Sequence, residues 1–355
     1  MKVGIIGNGL VSLSLAKALV NLKICVENIS TQKKNTINQF RTIGITKSNI
    51  DFYSNKILDI NNLGWKIKKI EIFNEKFKEK KLLNFQSNKK ELFSIIKNHQ
   101  LYDLLKLSLK NNRYYKKTKK LSDFKDYNLI VNCDHNHPIT KKLFYKNIKK
   151  KYRSFAYITS INHKKISDNF TAIQFFTKIG PIAFLPISDK ETSIVYSINK
   201  AEILRDVDII NLIKKYNPKY SIIKINKIQN FELGLSNLRS YYHENILAFG
   251  DLLHRIHPLA GQGFNMTIRD IMQLVKIISS RINLGLEIDN SVCLNFEKKM
   301  RHKNYIFSNG IDFIHEFFKI ESKIKNNNLS KIVQFFGKNK SLNKFFTKFA
   351  NDGLI

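Results

Sequence analysis

The residues whose types and spacing most clearly suit a functional site lie in the stretch from Gly250 to Ile271. This stretch reads GDLLHRIHPLAGQGFNMTIRDI. Asp251 follows a glycine at its start, and Gly261 and Gly263 flank a loop that opens into a helix. Glycines let backbone amides approach a ligand closely, and a helix N-terminus favours negative charge on that ligand. Asp251 could accept hydrogen bonds from the hydroxyls of a sugar-like chain. The stretch therefore predicts a site for a ligand that carries both kinds of group.

A second candidate site lies near the N-terminus. An apolar strand at 3–6, a glycine turn, an apolar helix running to 20 and a second strand ending in Glu27 follow one another. The glycines Gly7 and Gly9 suit a tight turn against a pyrophosphate, and a carboxylate about twenty residues later suits ribose hydroxyls. Ser12 stands where a third glycine is usual, and its small side chain still allows close packing of the helix on the strand. This arrangement predicts a dinucleotide-binding unit.

Two other kinds of site were weighed for the same residues. His254 and His257 have the spacing of a metal-binding pair, but no third ligand follows at a useful distance and a glycine loop surrounds them. A serine hydrolase would need a GxSxG turn, which the sequence does not contain. The sequence therefore predicts neither a metal site nor a hydrolase.

The elements that must position these residues belong to a large globular chain. With 355 residues and 43% hydrophobic composition, it can form two domains, or one domain with a large insertion. The formal net charge is +33, yet lysines are spread through every segment without a zinc-finger spacing or a discrete basic arm. We therefore expect no nucleic-acid partner. Such a charge is expected to attract the chain to anionic membrane surfaces.

Cysteine usage and the N-terminal sequence predict the compartment. Cys25, Cys133 and Cys293 are scattered, which predicts buried thiols in a reducing environment. Glycines interrupt the apolar run that follows Lys2, so the start is not that of a signal peptide. No apolar stretch of about 18 residues is present. We expect a cytoplasmic protein, with the inner face of the membrane as a peripheral contact.

The central part of the chain alternates polar and apolar residues. Residues 67–73 predict one strand, and residues 155–197 predict several strands joined by glycine and proline turns, as in an antiparallel sheet. Residues 127–133 predict a buried strand that ends in Asp134. Residues 329–349 predict a basic amphipathic helix, which would either cap the core or lie on a membrane surface.

The stretch from 250 to 271 resembles the second flavin-binding motif of the FAD-dependent aromatic hydroxylases, the class A flavoprotein monooxygenases, and most closely their ubiquinone-biosynthesis branch. The residues that carry the resemblance match without a gap and are Gly250, Asp251, His254, His257, Pro258, Ala260, Gly261, Gln262, Gly263, Asn265, Arg269 and Asp270. The chain departs from the motif at Leu252 and Leu253, which replace small residues, and at Thr267, which replaces a glycine.

The resemblance implies an α/β fold. A Rossmann-like FAD-binding domain would carry an inserted, mainly antiparallel β-sheet substrate domain and C-terminal helices. The expected boundaries are 1–66, 90–150 and 240–290 for the FAD-binding domain, 67–89 and 151–239 for the substrate domain, and 291–355 for the C-terminal helical segment.

The resemblance also implies which residues form the site. The expected catalytic residues are His257, Pro258, Gly261, Gln262 and Gly263. The expected FAD-binding residues are Gly7, Gly9, Leu10, Val11, Glu27, Arg41, Asn98, Asp134, Gly250, Asp251, Pro258, Gly261, Gly263, Phe264 and Asn265.

For several of these residues a second interpretation remains open. Arg41 would lie near the FAD pyrophosphate or on the open surface. The polar residue that contacts the flavin from the helix expected at 93–109 would be Asn98 or Gln100. His135 replaces a glycine beside Asp134, in a motif associated with both FAD and the nicotinamide donor. A strand through Pro181 and Leu185 would face the flavin.

The implied activity is hydroxylation of the ring of a polyprenylated phenol in ubiquinone biosynthesis. FAD would act through a C4a-hydroperoxide, with NAD(P)H as the expected donor and other ubiquinone-biosynthesis proteins as expected partners. Two alternatives remain at this stage. The chain would hydroxylate a soluble aromatic compound, or it would serve as a flavin-fold scaffold of a quinone-biosynthesis complex with reduced catalysis.

Overall fold

The computed structural model describes residues 1–30, 39–75, 81–86, 91–119, 123–200, 202–256 and 262–323. The helices are α1 (Leu10–Asn21), α2 (Lys47–Lys56), α3 (Asn98–Leu109), α4 (Pro138–Leu143), α5 (Asp206–Tyr216), α6 (Gln262–Asn283) and α7 (Asn290–Lys323). The strands are β1 (Lys2–Ile6), β2 (Cys25–Ile29), β3 (Thr42–Thr46), β4 (Trp65–Ile67), β5 (Lys69–Asn74), β6 (Lys81–Gln86), β7 (Phe93–Lys97), β8 (Tyr115–Thr118), β9 (Leu129–Asn132), β10 (Asn147–His163), β11 (Thr171–Thr177), β12 (Gly180–Pro186), β13 (Glu191–Ile198), β14 (Ile222–Ile225), β15 (Gln229–Leu238), β16 (Tyr242–His243), β17 (Ile246–Ala248) and β18 (His254–Arg255).

The first sheet has the strand order β16-β17-β9-β1-β2-β8, and β1, β2, β8, β9 and β17 run parallel. Its central strands are short apolar runs because helices and other strands cover both faces. All four residues of β9 are buried, as are four of the five residues of β1. This sheet provides the dinucleotide-type unit that the N-terminal sequence predicts.

The second sheet has nine strands in the order β18-β15-β10-β13-β12-β11-β5-β6, and β14 pairs with β10. Its pairs are antiparallel apart from β11 with β5. The antiparallel hairpins expected at residues 155–197 are present as β10 to β13. Helix α5 buries Ile209 and Ile213 in the same apolar core as Ile194 and Tyr196 of β13.

A third sheet of three strands, in the order β3-β7-β4, corrects two expectations. The helix expected at 93–109 begins only at Asn98, because residues 93–97 form β7 between two partners. The single strand expected at 67–73 is two strands: β4 ends at Ile67 in this sheet, and β5 begins at Lys69 in the nine-stranded sheet. A short apolar run such as that of β7 fits the period of a helix as well as that of a strand. Its pairing with neighbouring strands therefore determines which of the two forms.

The predictions for the cysteines, the C-terminal helix, membrane spans and domain boundaries have different outcomes. Cys25 is exposed at the start of β2, so the prediction of a buried thiol is wrong there, whereas Cys293 is buried. The helix expected at 329–349 lies outside the described residues. Among the helices that the structure describes, none is both long enough and apolar enough to cross a membrane. The division into domains stays a prediction.

Candidate functional site

A cleft of about 1720 Å³ lies between the first sheet, the three-stranded sheet and the nine-stranded sheet. The residues expected to form the site that line this cleft are Gly7, Gly9, Leu10, Val11, Arg41, Asn98, Asp134, Asp251, Gln262, Gly263, Phe264 and Asn265. The structure thus brings together segments that are far apart in sequence. His257, Pro258 and Gly261 lie outside the described residues, so their expected roles remain predictions.

The glycine turn after β1 forms one wall. Gly7 has a φ of 129°, and a Cβ on it would lie 3.3 Å from the Cβ of Cys133 at the end of β9. Nothing within 4 Å would meet a Cβ on Gly9, so that backbone faces open space. Ser12 is fully buried, and its hydroxyl accepts from the Gly9 amide at 2.9 Å and donates to the Gly9 carbonyl at 3.0 Å. Ser12 therefore holds the first turn of α1 while remaining small enough for close packing.

The turn that carries Asp251 packs directly against this wall. Gly250 has a φ of 67°, and a Cβ on it would lie 2.8 Å from a methyl group of Val11. Gly250 does not line the cleft; it allows the turn to approach α1 closely. Asp251 is exposed and lines the cleft, so its carboxylate is accessible to a ligand. Leu252 also lines the cleft, whereas Leu253 is buried in the core.

Arg41 and Asn98 lie side by side in the cleft. The Asn98 amide donates to the Arg41 carbonyl at 2.9 Å, at the point where β7 ends and α3 begins. Asn98 is buried, and its Oδ1 has no hydrogen-bond partner among the described residues. Arg41 is exposed and forms no ion pair with any residue that the structure describes. Gln100, the alternative to Asn98, does not line the cleft.

Helix α6 begins at the cleft with Gln262. The Oε1 of this buried side chain has no partner among the described residues. Asn265 also lines the cleft, but its carboxamide holds other parts of the protein. Its Oδ1 accepts from the Thr46 amide at 3.0 Å and from Asn49 at 2.8 Å, and its Nδ2 donates to the Gly44 carbonyl at 2.8 Å. The side chain of Asn265 therefore positions α6 against β3 and α2.

A buried polar network anchors the opposite side of α6. Nε2 of His254 contacts the Asp270 carboxylate, which also accepts from Asn304 of α7 at 2.9 Å. His254 and Asp270 are both almost completely buried. His254 lines the cleft, and its Nδ1 has no hydrogen-bond partner among the described residues. Thr267 is buried and does not line the cleft.

The end of β9 contributes Cys133 and Asp134. Burial raises the pKa of the Cys133 thiol, and the nearby carboxylates of Asp134 and Asp251 raise it further. The thiol is therefore protonated and unreactive at neutral pH. Asp134 accepts from the Asn136 amide at 2.9 Å, in a loop whose His135 is exposed and also lines the cleft.

Glu27 lies elsewhere. It occupies the middle of β2 rather than its end, and it is absent from the cleft lining. Its carboxylate accepts from the Tyr127 hydroxyl at 2.5 Å and pairs with Lys2 at 3.3 Å. Ser30, directly after β2, lines the cleft instead. Glu27 therefore lies outside the cleft that most of the other expected residues line, and its role towards a ribose stays a prediction.

The nine-stranded sheet closes the cleft with an apolar face. Pro181 and Leu185 of β12 line it, in agreement with the expected position of that strand. Ala183 of the same strand lies on this face, and the apolar neighbours from five other strands are Ile72, Ile158, Ala172, Val195 and Phe231. The cleft therefore has a polar half at the first sheet and an apolar half at the second.

Sequence reasoning missed several cleft residues. Ser30 could have been found by looking for a polar residue directly after the strand, since ligands of such sheets bind beyond the carboxyl ends of the strands. Lys149, Lys151 and Arg255 also line the cleft. They were missed because lysine is common throughout the chain and carries no local signal.

Comparison with known proteins supports this description. An FAD binding domain family model matches residues 201–284. The mitochondrial ubiquinone biosynthesis monooxygenase COQ6 of Xenopus tropicalis is 24% identical, over 54% of this chain and 50% of that protein. The human COQ6 protein is 26% identical, over 45% and 43%. The chain spans about half the length of these relatives.

Solved structures share the fold over nearly the whole chain. p-Nitrophenol 4-monooxygenase PnpA from Pseudomonas putida has a TM-score of 0.78 at 10% identity and covers 99% of this chain and 98% of its own. HpxO from Klebsiella pneumoniae, complexed with FAD and uric acid, has a TM-score of 0.75 at 11% identity, with coverages of 99% and 97%. The fold class predicted from the sequence is confirmed. The family match and the named relatives also confirm the predicted resemblance, with FAD as the cofactor.

Proposed function

We propose that this protein is an FAD-dependent monooxygenase that hydroxylates the ring of a polyprenylated phenol in ubiquinone biosynthesis. The observation that carries the proposal is the single cleft, which joins a dinucleotide-type glycine turn to an apolar sheet face. Its volume of about 1720 Å³ exceeds the roughly 300–1,000 Å³ typical of a pocket for one ligand. A cofactor and a substrate therefore fit together in it.

The polar half fits a flavin dinucleotide. The open backbone at Gly9 leaves room for a pyrophosphate, and the cation of Arg41 suits its phosphate oxygens. Asp251 and Ser30 offer acceptors to hydroxyls. The unpartnered oxygens of Asn98 and Gln262 are further positions for hydrogen bonds to a ligand. Bound FAD would supply the reaction with oxygen, and NAD(P)H is the proposed donor.

The apolar half fits a ring that carries an isoprenoid chain. The side chains of Ile72, Ile158, Leu185 and Val195 present apolar surface over several neighbouring strands. Burial of such a substrate is favoured by roughly 25 cal/mol for each Å² removed from water. These side chains would also exclude water from the reacting ring, and the N-terminal amides of α6 would favour negative charge that develops near them.

The proposal is tested with the purified chain and added FAD. We expect a yellow protein that consumes NAD(P)H and oxygen only when a prenylated phenol is present, and a product 16 mass units heavier, which is one oxygen atom. Asn98→Leu is expected to weaken FAD binding in a fluorescence titration, whereas Asn111→Leu, on an exposed turn outside the cleft, is the matched control. A chain that takes up no FAD, or that binds FAD without phenol-dependent turnover, would contradict the proposal.

A further inference from the structure

Three cations lie on one face of the strands at the rim of the cleft. Arg255 of β18 is paired with Ser236 of β15, and Ser236 is paired with Lys149 of β10. Lys151 is paired with Gly234, two residues further along each strand. Directly opposed residues share a face of a sheet, as do residues two apart on a strand. Arg255, Lys149 and Lys151 form what we call the basic strip, and all three line the cleft.

Among the described residues, the cations of the strip have no acidic partners, whereas the neighbouring Lys150 has two. Lys150 lies between the two strip lysines, and the alternation of β10 directs it to the other face. There it pairs with Asp312 at 2.9 Å and with Glu316 at 3.2 Å, both from α7. Within the described ranges, no cation of the strip has an ion-pair partner. Lys150 also lines the cleft, so what distinguishes the strip is a common face together with the absence of acidic partners among the described residues.

The Arg255 side chain is held in one direction. Its Nη2 donates to the carbonyl of Glu232 at 3.0 Å, four residues along β15 from its cross-strand partner Ser236. The side chain therefore extends along β15 past Gly234, which has no side chain to obstruct it. Lys151 is opposite that same glycine. Arg255 and Lys151 therefore lie next to the same glycine of β15.

Glu232 is the acid of this region that lines the cleft on the same face. Its carboxylate forms no ion pair with the strip among the residues that the structure describes. Three cations against one carboxylate leave a net positive charge at the rim. A planar guanidinium beside an ammonium group suits two oxygens of one anion.

We propose that the basic strip binds an anionic group, a carboxylate or a phosphate, of a molecule that enters the cleft. The inference rests on the proposed function, whose substrate and donor are the two candidate sources of such a group. One is a carboxylate on the ring of the prenylated substrate, and the other is the phosphates of the nicotinamide donor. Both would be bound next to β18.

The test measures binding rather than turnover. Equilibrium dialysis with FAD-loaded protein compares a prenylated 4-hydroxybenzoate, the same prenylated phenol without its carboxylate, and NADPH. Arg255→Gln and Lys151→Gln are each expected to weaken one anionic ligand about tenfold or more, and to leave the uncharged phenol unchanged. Arg255→Lys is expected to retain part of the affinity. Glu232→Gln is expected to strengthen binding of the same ligand.

Lys224→Gln is the matched control, since it removes one exposed lysine from β14 of the same sheet, outside the cleft. Weaker binding of the benzoate alone assigns the strip to the substrate, and weaker binding of NADPH alone assigns it to the donor. Unchanged affinity for both anions, or equal loss for all three ligands, would overturn the inference. Protein without FAD is dialysed in parallel, so a failure to take up flavin is distinguished from a strip that binds no anion.

Discussion

At the scale of single residues, Asn265 connects three elements through one carboxamide. It is almost fully buried and bonds to Gly44, Thr46 and Asn49. Asn265→Ala removes these bonds and leaves the Thr46 amide without that acceptor. We expect the free energy of unfolding to fall by roughly 2–3 kcal/mol, measured by urea denaturation. Asn111→Ala, on an exposed turn, is expected to change it by less than about 0.5 kcal/mol. Equal effects of the two variants would contradict this account.

Gly250 and Gly285 allow the effect of backbone strain on stability to be distinguished from the effect of a steric clash. Gly250 and Gly285 have φ values of 67° and 68°, but a Cβ on Gly250 would lie 2.8 Å from Val11, whereas one on Gly285 meets nothing within 4 Å. Gly285→Ala is expected to cost roughly 1–2 kcal/mol of unfolding free energy, from strain alone. Gly250→Ala is expected to cost more and also to weaken FAD binding, because Val11 lines the cleft. Unfolding curves and FAD titrations of both variants test this, and unchanged FAD affinity in Gly250→Ala would contradict it.

Residue types and spacing predicted many of the residues that line the cleft. The glycines at 7 and 9, Arg41, Asn98 and Asp251 all line the cleft. Glu27 does not line it, because sequence distance from a glycine turn does not show where a strand ends. The cross-strand neighbours of Arg255 could not be predicted at all, since they depend on the register of three strands that are distant in sequence.

At the scale of elements, Glu27 joins β2 to both of its neighbouring strands. Its carboxylate pairs with Lys2 of β1 at 3.3 Å and with Lys116 of β8 at 3.8 Å, and it accepts from the Tyr127 hydroxyl. Burial alone would raise the pKa of Glu27. The hydrogen bonds from Tyr127 and Lys2 and the two positive charges outweigh burial and hold the pKa below its ordinary value of 4.5.

This lowered pKa predicts a pH dependence with a definite sign. A carboxylate whose pKa is lowered by folding adds stability above its unfolded pKa and loses it as the pH falls through the folded pKa. Glu27→Gln should therefore lower the free energy of unfolding most near neutral pH. The difference from wild type should shrink as the pH falls below about 4.5. Urea denaturation between about pH 7 and pH 3 measures it. Glu202→Gln, at an exposed position, is the control and should change the free energy of unfolding by less than about 0.5 kcal/mol.

Sequence patterns predicted most of the helices and strands, and the wrong predictions have a common cause. The 22-residue run that became α6 has a length and a period that fit one structure only. Residues 93–97 do not, and they are a strand because β3 and β4 pair with them on either side. Gly64 lets the β4 turn approach closely, since a Cβ there would lie 2.7 Å from Ile96. Such tertiary contacts decide ambiguous runs, and a local pattern does not contain them.

At the scale of the whole molecule, the cleft exists because three sheets are held at fixed positions. Helix α7 contributes to this arrangement at three points along its length: Asn304 bonds to Asp270 of α6, Ser308 to Asn237 of β15, and Asp312 to Tyr152 of β10. The resemblance predicted that C-terminal helices follow the two sheets. It did not predict these contacts, because hydrogen bonds between distant polar side chains leave no periodic signal in a sequence.

A partly buried ion pair joins the three-stranded sheet to the nine-stranded sheet, beside the polar half of the cleft. Lys97, the last residue of β7, contacts Glu191 of β13 at 2.6 Å, and Glu191 also accepts from Ser160 at 3.0 Å. Nearby, Thr42 of β3 donates to Ser193 of β13 at 2.9 Å. Because Lys97 directly precedes Asn98, this pair fixes a cleft residue relative to the nine-stranded sheet.

Glu191→Gln should therefore affect both stability and the cleft. We expect a loss of about 1–3 kcal/mol of unfolding free energy, because a charge-assisted bond is removed and Lys97 keeps its charge without its partner. FAD binding should weaken as well, since Asn98 loses its fixed position. A double-mutant cycle with Lys97→Met isolates the coupling between the two side chains. Asp189→Asn is the control, because its pair with Lys165 is longer, at 3.8 Å, and more exposed. Additive effects in the cycle, or FAD affinity equal to that of the control, would show that the two sheets are held together by other contacts.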